Sequence, residues 1–360
     1  MYFERLIVNH LRCFDRLDYV PGEHLNLICG ANGSGKTTVL EGLAIACLGR
    51  SFLTSNIGEL VRTGAAGLSV QALLREGGEG GRNRVTVRKA RGETTIEWDG
   101  QPVAAASMLA QRIPVLAVNS KAADLLTENP SNRRALLDRT MFHVEPSYVE
   151  SWKAYRQALR QRNEVLRCGG ASRDAAYWTQ SLVESGSAID ARRQAMVAAI
   201  NTGLQQSPLA TEFGDDFGFA YQPGWNRETG FAEQLAATWE RDAALGYTTV
   251  GIHRADLALR GRGRAISKRL SRGQGKITVI ALFCALADFI AGHTGKRPVF
   301  LVDDLHAELD DNMCRRAVDM IVAVAGQGMF TAIRPSDLPD VANRTPSVFH
   351  VEHVADAVSS

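Results

Sequence analysis

Cysteine is scarce: there are six in 360 residues, at positions 13, 29, 47, 168, 284 and 314. None forms a CxxC pair and no Cys/His cluster has zinc spacing. That excludes a disulfide scaffold and a zinc module, and predicts reduced core thiols in a cytosolic protein. His350 and His353 form an HxxH without a further ligand, so a late strand with solvent-facing histidines is expected there. Excess charge of one sign is also lacking. A net charge of +2 excludes a histone-like polycation but leaves local patches open. Met1 to Arg5 shows no basic region followed by an apolar stretch, so no signal peptide is expected. The longest apolar run, Ile277 to Ala291, is broken by Asp288 and is too short to span a bilayer. No membrane partner is expected, and no internal repeat is evident.

What is present suits a packed core. Hydrophobic residues make up 45% and charged residues 22%, and the length allows one large domain or two ordinary ones. Leu6, Val8 and Leu11 alternate as an early strand would. Leu25 to Cys29 reads as a buried strand between Gly22 and Gly30. From Lys36 to Leu48, apolar residues at three- and four-residue spacing mark one face of a helix. Residues 68 to 99 alternate like strands of a small antiparallel sheet, with hairpin turns at Gly77 to Gly81 and at Asp99-Gly100. Pro146 can open a helix running through Tyr148 to Leu166, and Tyr177 to Leu204 is a second long helical pattern. Strand-like and loop segments follow, then a buried helix over Ile277 to Ile290 and a buried strand over Val299 to Val302.

Gly30-Ala31-Asn32-Gly33-Ser34-Gly35-Lys36-Thr37 fits GxxxxGK[ST] at every fixed position, with a strand before it and a helix after it. Glycines let backbone N–H groups face phosphates, and the helix N-terminus adds partial positive charge. Lys36 is placed to reach the β- and γ-phosphates of a nucleoside triphosphate, and the Thr37 hydroxyl, followed by Thr38, to bind Mg²⁺. A second acidic site follows the strand Val299 to Val302. Asp303 at its tip suits the water shell of Mg²⁺, and Asp304 can polarise the attacking water. Lys36 and Asp303 stand 267 residues apart, much further than in small GTPases. A large insertion therefore separates two halves of one sheet, which points to cassette ATPases of the chromosome-maintenance type.

Leu270-Ser271-Arg272-Gly273-Gln274 resembles the LSGGQ signature of cassette ATPases, with Arg272 in place of a glycine. The same pentapeptide also suits an ordinary helix cap. Arg272 and Gln274 followed by Lys276, the acids 303 and 304 followed by Ala307-Glu308-Leu309-Asp310, and His253-Arg254-Ala255-Asp256-Leu257 resemble the RecF family. So do Arg133 to Asp138, Phe142-His143, Arg160-Gln161-Arg162-Asn163, Val8 to Arg12 and Gly49-Arg50-Ser51-Phe52. The resemblance runs from about residue 3 to at least 335.

The resemblance implies an α/β fold, a P-loop ABC-type ATPase head with an inserted helical arm subdomain. The expected limits are 1–124 for the N-terminal lobe, 125–205 for the arm and 206–360 for the C-terminal lobe. It implies ATP and Mg²⁺ as cofactors. Ser271, Arg272, Gly273 and Gln274 would contact the nucleotide of a partner subunit in an ATP-dependent homodimer. It further implies DNA as a partner, double-stranded and single-stranded at gap junctions, with RecR and RecO and the loading of RecA in the DNA-damage (SOS) response. Departures from the family pattern are Ile252 where proline is usual, Leu116 in place of a loop glutamine, and no histidine within Met329 to Ala332. With the short Asp304 in the catalytic place, slow hydrolysis as a timer of dimer dissociation is expected. Rival readings are a transporter cassette, against which the missing membrane segment and long insertion count, and an ATP-sensing cassette without a DNA clamp.

Eight basic residues fall between Arg254 and Lys276 against one acid, Asp256. They include Arg254, Arg260, Arg262, Arg264, Lys268 and Arg269, the candidate phosphate contacts to DNA. Lys153, Arg156, Arg160, Arg162, Arg167 and Arg173 add a second basic segment on the arm. No base-reading module is recognisable, so structure-selective binding is expected. Either segment alone also suits a solvated helix face or a loop serving ATP.

Overall fold

The structure is a computed structural model, and it describes residues 1–54, 56–76, 81–90, 92–104, 106–339 and 345–352. Most of the glycine-rich turn at 77–81 and His353 lie outside the described residues. Contacts divide the chain into two units, Met1–Ala123 with Ser271–Ser360, and Asp124–Leu270.

The first unit holds two sheets. Strands β1 (Tyr2–Leu11), β2 (Phe14–Tyr19), β3 (Leu25–Cys29), β4 (Gly67–Arg75), β5 (Arg82–Ala90), β6 (Glu93–Trp98), β7 (Gln101–Pro102) and β8 (Val115–Val118) precede the second unit. That unit contributes β9 (Gly218–Gln222), β10 (Asp256–Gly261) and β11 (Arg264–Ala265), and β12 (Val299–Val302), β13 (Gln327–Ala332) and β14 (Ser347–His350) follow in the first. One sheet is antiparallel, in order β2-β1-β4-β5-β6-β7. In β4, Leu68, Val70, Ala72 and Leu74 are buried and the residues between are half-buried, the period-two signature of a sheet covered on one face. Asp99 and Gly100 both take positive φ, 51° and 80°, as a two-residue hairpin turn demands.

The other sheet is parallel, in order β14-β3-β13-β12-β8. Its central strands β3, β12 and β13 are buried at every position. Helix α1 (Lys36–Leu48) packs against β1, β4 and β5 and also against β8, β12 and β13. It lies between the two sheets, so every residue from Thr38 to Cys47 is buried. The sequence shows one apolar face, whereas the helix is covered on all sides because small residues such as Gly42 and Ala46 complete its circumference. Gly42 lets α1 come close to β1, since a Cβ there would meet Val8 at 3.0 Å.

Short helices α2 (Ile57–Leu60) and α3 (Ala106–Arg112) flank this core. The second unit contains α4 (Asp124–Thr127), α5 (Pro130–Val144), α6 (Pro146–Arg167), α7 (Ala176–Gln205), α8 (Pro208–Phe213), α9 (Phe231–Ala237) and α10 (Trp239–Leu245). The first unit closes with α11 (Arg272–Thr294) and α12 (Asp311–Val324). The helical patterns place an arm over 125–205, but the contacts of the second unit continue to Leu270. There α7 packs on β9, and α9 and α10 pack on α7 and α6. At six and seven residues, α8 to α10 are too short to show a helical period. They occupy a stretch whose sequence suggests only strands and loops.

By length and composition α11 is apolar enough to cross a membrane, although the uninterrupted run within it is shorter. Its most apolar window is 67% buried in the fold, as in a core helix. All six cysteines are free. Four are buried, Cys13 is half-buried, and Cys168 is exposed at the C-cap of α6, outside the packed face. The core-thiol expectation therefore fails at Cys168. His350 ends β14 and is exposed, as a solvent-facing histidine should be.

Candidate nucleotide-binding site

Parallel strands put their C-terminal ends on one edge, where open α/β sheets hold ligands. Here β3 delivers the loop Gly30 to Lys36, β12 delivers Asp303 and Asp304, and β13, lying between them, delivers Thr331. Residues 266 positions apart thus meet: the Thr37 hydroxyl lies 3.0 Å from both carboxylate oxygens of Asp303. The Thr331 hydroxyl donates to Asp303 at 2.8 Å and accepts from the Asp304 N–H at 2.8 Å. Asp304 itself is exposed and left-handed, with φ 51°.

The loop is shaped by close approach. Gly35 has φ 107°, and a Cβ there would meet Phe14 at 2.7 Å and Cys13 at 2.8 Å. The Lys36 ammonium folds onto its own loop, donating to the carbonyls of Gly30 at 2.7 Å and Ala31 at 2.8 Å. An ammonium has three donors, so one more acceptor can be served. The Ser34 hydroxyl is buried without a partner among the described residues. Asn32, Gly33, Lys36, Thr37, Thr38, Asp303 and Asp304 line a cavity of about 510 Å³.

These residues fit a nucleotide with a divalent cation. An unpaired buried hydroxyl, a lysine at the mouth and a turn that tolerates no Cβ at Gly35 suit a phosphate group. Thr37 and Asp303 offer two oxygen ligands, and the described residues contain no group of three or more His, Cys, Asp or Glu able to hold a metal. A cation here would complete its shell with water and phosphate oxygens, as Mg²⁺ does. Burial raises the Asp303 carboxyl above its usual range, and hydrogen bonds from Thr331 and Thr37 oppose that shift. A bound cation would favour the ionised form.

Several lining residues escape the motif reading. Arg12, Cys13, Glu41, Leu53, Ser120, Thr331 and Ile333 border the same cavity. Arg12 pairs with Glu41, which is fully buried on α1, and Ser51 donates to Glu41 at 2.5 Å. Arg12 and Ser51 fall within family-like stretches, so that resemblance was their available signal. Thr331, inside an ordinary apolar strand, has none.

Ser271 is the N-cap of α11. It accepts from the Gln274 N–H at 3.2 Å, while the Gln274 side chain accepts from the Ser271 N–H at 3.1 Å. The pentapeptide is thus a capping box, and Ser271 and Arg272 remain exposed. Gly273 is buried, and a Cβ there would meet the Glu308 carbonyl at 2.7 Å.

Comparison with known proteins adds a family. The RecF/RecN/SMC N terminal domain model matches residues 2–357. The DNA replication and repair protein RecF of Shewanella amazonensis is 33% identical over 355 residues, covering 98% of both chains. That of Thioalkalivibrio sulfidiphilus is 35% identical over 355 residues, again covering 98% of both. The chain belongs to the RecF family. Among solved structures, the recombination mediator protein RecF with ATP, of the RecFOR pathway, superposes with TM-score 0.84 at 22% identity, over 97% of each chain. An Smc head bound to the C-winged helix domain of ScpA gives TM-score 0.53 at 16% identity, over 93% of this chain and 90% of that one. The fold is therefore that of RecF and Smc-type ABC ATPase heads.

Several RecF-like stretches of the second unit are scaffold. Arg133 grips Asp256 at 2.7 and 3.0 Å, and Arg134 donates to the Ala255 carbonyl at 2.8 Å. Arg193, almost fully buried, pairs with Asp138 at 2.6 Å. The basic segments divide by burial. Arg254, Arg260, Arg262, Arg264, Lys268 and Arg269 are exposed. The tip of the β10–β11 hairpin is held by Asp216, which accepts from Gly263 at 2.7 Å. On α6, Lys153, Arg156, Arg160 and Arg167 are exposed and border one groove of about 530 Å³. Two members of the expected stripes do not belong there. Arg162 is fully buried and paired with Asp242, and Lys276 is fully buried in the core. Helical periodicity turns Arg162 to the packed side of α6, away from the stripe.

Proposed function

We propose that this RecF-family chain binds ATP with Mg²⁺ at Gly30 to Thr38 and Asp303, and that ATP closes a homodimer on DNA. The observation that carries this reading is the meeting of Thr37 and Asp303 at 3.0 Å beside the Lys36 loop. Lys36 neutralises the terminal phosphates, Thr37 and Asp303 hold the cation, and Asp304 orients the attacking water. Bound Mg²⁺ supplies charge neutralisation at the phosphates. The RecF structure with ATP supports the nucleotide assignment. Ser271 to Gln274 at the head of α11, of which Ser271 and Arg272 are exposed, then meet the nucleotide of a second copy.

Duplex DNA near a single-strand gap is held by backbone contacts from the exposed arginines of the β10–β11 hairpin and the stripe on α6. Hydrolysis is slow and times release. RecR and RecO are the mediator partners that act with the clamp in loading RecA, in the cytoplasm.

The test is fluorescence anisotropy of a gapped duplex, with and without ATP, for wild type and Ser271→Arg. ATP-stimulated binding that the substitution abolishes is expected. Binding indifferent to ATP would detach the nucleotide site from DNA and favour an ATP sensor. The affinity should also fall steeply, by about a thousandfold or more from ~50 to ~200 mM salt if six or more phosphates are contacted.

A further inference from the structure

Lys276 lies five residues after the N-cap of α11 and has no exposed surface. Its ammonium donates to three main-chain carbonyls, of Asp304 at 2.7 Å, Leu305 at 3.0 Å and Ala307 at 2.7 Å. All three donors are thereby used, and every acceptor belongs to the turn that follows β12. Burying a cation is costly unless it is fully hydrogen-bonded, and an apolar residue would serve core packing better. Burial lowers the Lys276 pKa, and the charges of Asp304 and Glu308 work in the opposite sense.

The turn so held is unusual. Asp304 and Glu308 are both left-handed without being glycine, at φ 51° and 74°. Such backbone persists only where its surroundings over-determine it. Two further contacts run along the same seam. Arg272 pairs with Glu308 at 2.9 Å, and Gly273 permits an approach to the Glu308 carbonyl that a Cβ would block. The first turns of α11 and residues 304–308 are therefore joined by side-chain and main-chain contacts.

We infer that Lys276 is a positioning residue that transmits nucleotide contact at Ser271 to the catalytic turn at Asp304 of the same protomer. The inference rests on the ATP-driven dimer proposed above. In that dimer Ser271 touches the partner's nucleotide while Asp304 serves the protomer's own. Lys276 thus links the two composite sites: filling one sets the geometry of the water-orienting carboxylate in the other. Neither Lys36, Thr37 nor Asp303 bonds to Lys276, so nucleotide affinity of a single protomer does not depend on it.

The experiment compares full-length wild type, Lys276→Met and Lys276→Arg. Fluorescent-ATP binding and steady-state phosphate release are measured across ATP concentration. For Lys276→Met the expected result is unchanged ATP affinity, a kcat lower by about tenfold, and a rate curve that loses its sigmoidal rise. Lys276→Arg, which keeps the charge, should recover part of kcat. Wild-type kcat and curve shape in Lys276→Met would overturn the inference. So would equal loss of affinity and kcat in a folded variant.

If Lys276→Met does not fold, hydrogen exchange of wild type and Ser271→Arg decides. A slowly hydrolysed ATP analogue should protect amides 304–309 in wild type and not in Ser271→Arg, and equal protection in both overturns the link. Wild type that neither binds nor hydrolyses ATP removes the proposed function together with this inference. Active wild type, inhibited Ser271→Arg and unaffected Lys276→Met remove this inference alone.

Discussion

Replacing Thr331 by valine keeps the shape of a side chain that is 3% exposed and removes one oxygen. That oxygen donates to the Asp303 carboxylate and accepts from the Asp304 N–H, each at 2.8 Å. Losing a hydrogen-bond partner in a buried setting costs ~1–3 kcal/mol per group left unpaired. The Asp304 N–H is part-buried and the carboxylate keeps Thr37, so the net loss should sit near 2 kcal/mol, or about 4–8 °C in Tm for a unit of this size. The same oxygen restrains Asp304 at its positive φ. If ~1.4 kcal/mol of that restraint acts on the catalytic conformer, kcat falls about tenfold. Phosphates would rest on the Gly30 to Lys36 loop, which Thr331 does not bond, so ATP affinity should change little. Thermal melts, fluorescent-nucleotide titration and phosphate release measure the three effects, with Thr331→Ser as the control that keeps the hydroxyl. Wild-type turnover in Thr331→Val would refute the reasoning. Affinity falling as far as kcat would show that the hydroxyl serves binding rather than the placement of Asp304.

Two more outcomes are expected from the second unit. Arg162→Ala strands Asp242, itself without exposed surface, and should cost about 3–5 kcal/mol by chemical denaturation, whereas Arg162→Met with Asp242→Leu should recover most of it. Burial pushes His253 down to about 4, and the hydrogen bond between its ring and the Thr248 carbonyl opposes that shift. The unfolded chain binds that proton near pH 6.5 and the folded chain only near 4. Stability from this group is therefore complete above pH 6.5 and lost as pH falls toward 4, by about 3 kcal/mol at most. A His253→Gln variant should show a shallower decline of melting temperature over that range, and an unchanged slope would exclude His253 as its source.

The local elements of the candidate nucleotide site were legible because each carries its own short-range signal. Leu25 to Cys29 and Val299 to Val302 are uninterrupted apolar runs, as strands buried on both faces must be. The glycines between Gly30 and Gly35 mark a turn whose φ values exclude most residues, and Pro146 marks a helix start. Helices α8 to α10 left no such mark, since one or two turns cannot establish a period.

Motif spacing, composition and family-like stretches together determined a glycine-rich loop after one buried strand, an acidic end on a distant second strand, and a long stretch of chain between the two. They could not say which charges face water. Arg162 and Lys276 read as members of basic stripes, and both proved to be buried, one paired with a carboxylate and the other bonded to three carbonyls. Burial is a property of partners far along the chain, 80 residues away for Arg162 and about 30 for Lys276. The placement of Thr331 between Asp303 and Asp304 is likewise a matter of strand order. Because β13 lies between β3 and β12, its C-terminal end arrives between the two motifs, and only the assembled sheet makes that residue a neighbour of both.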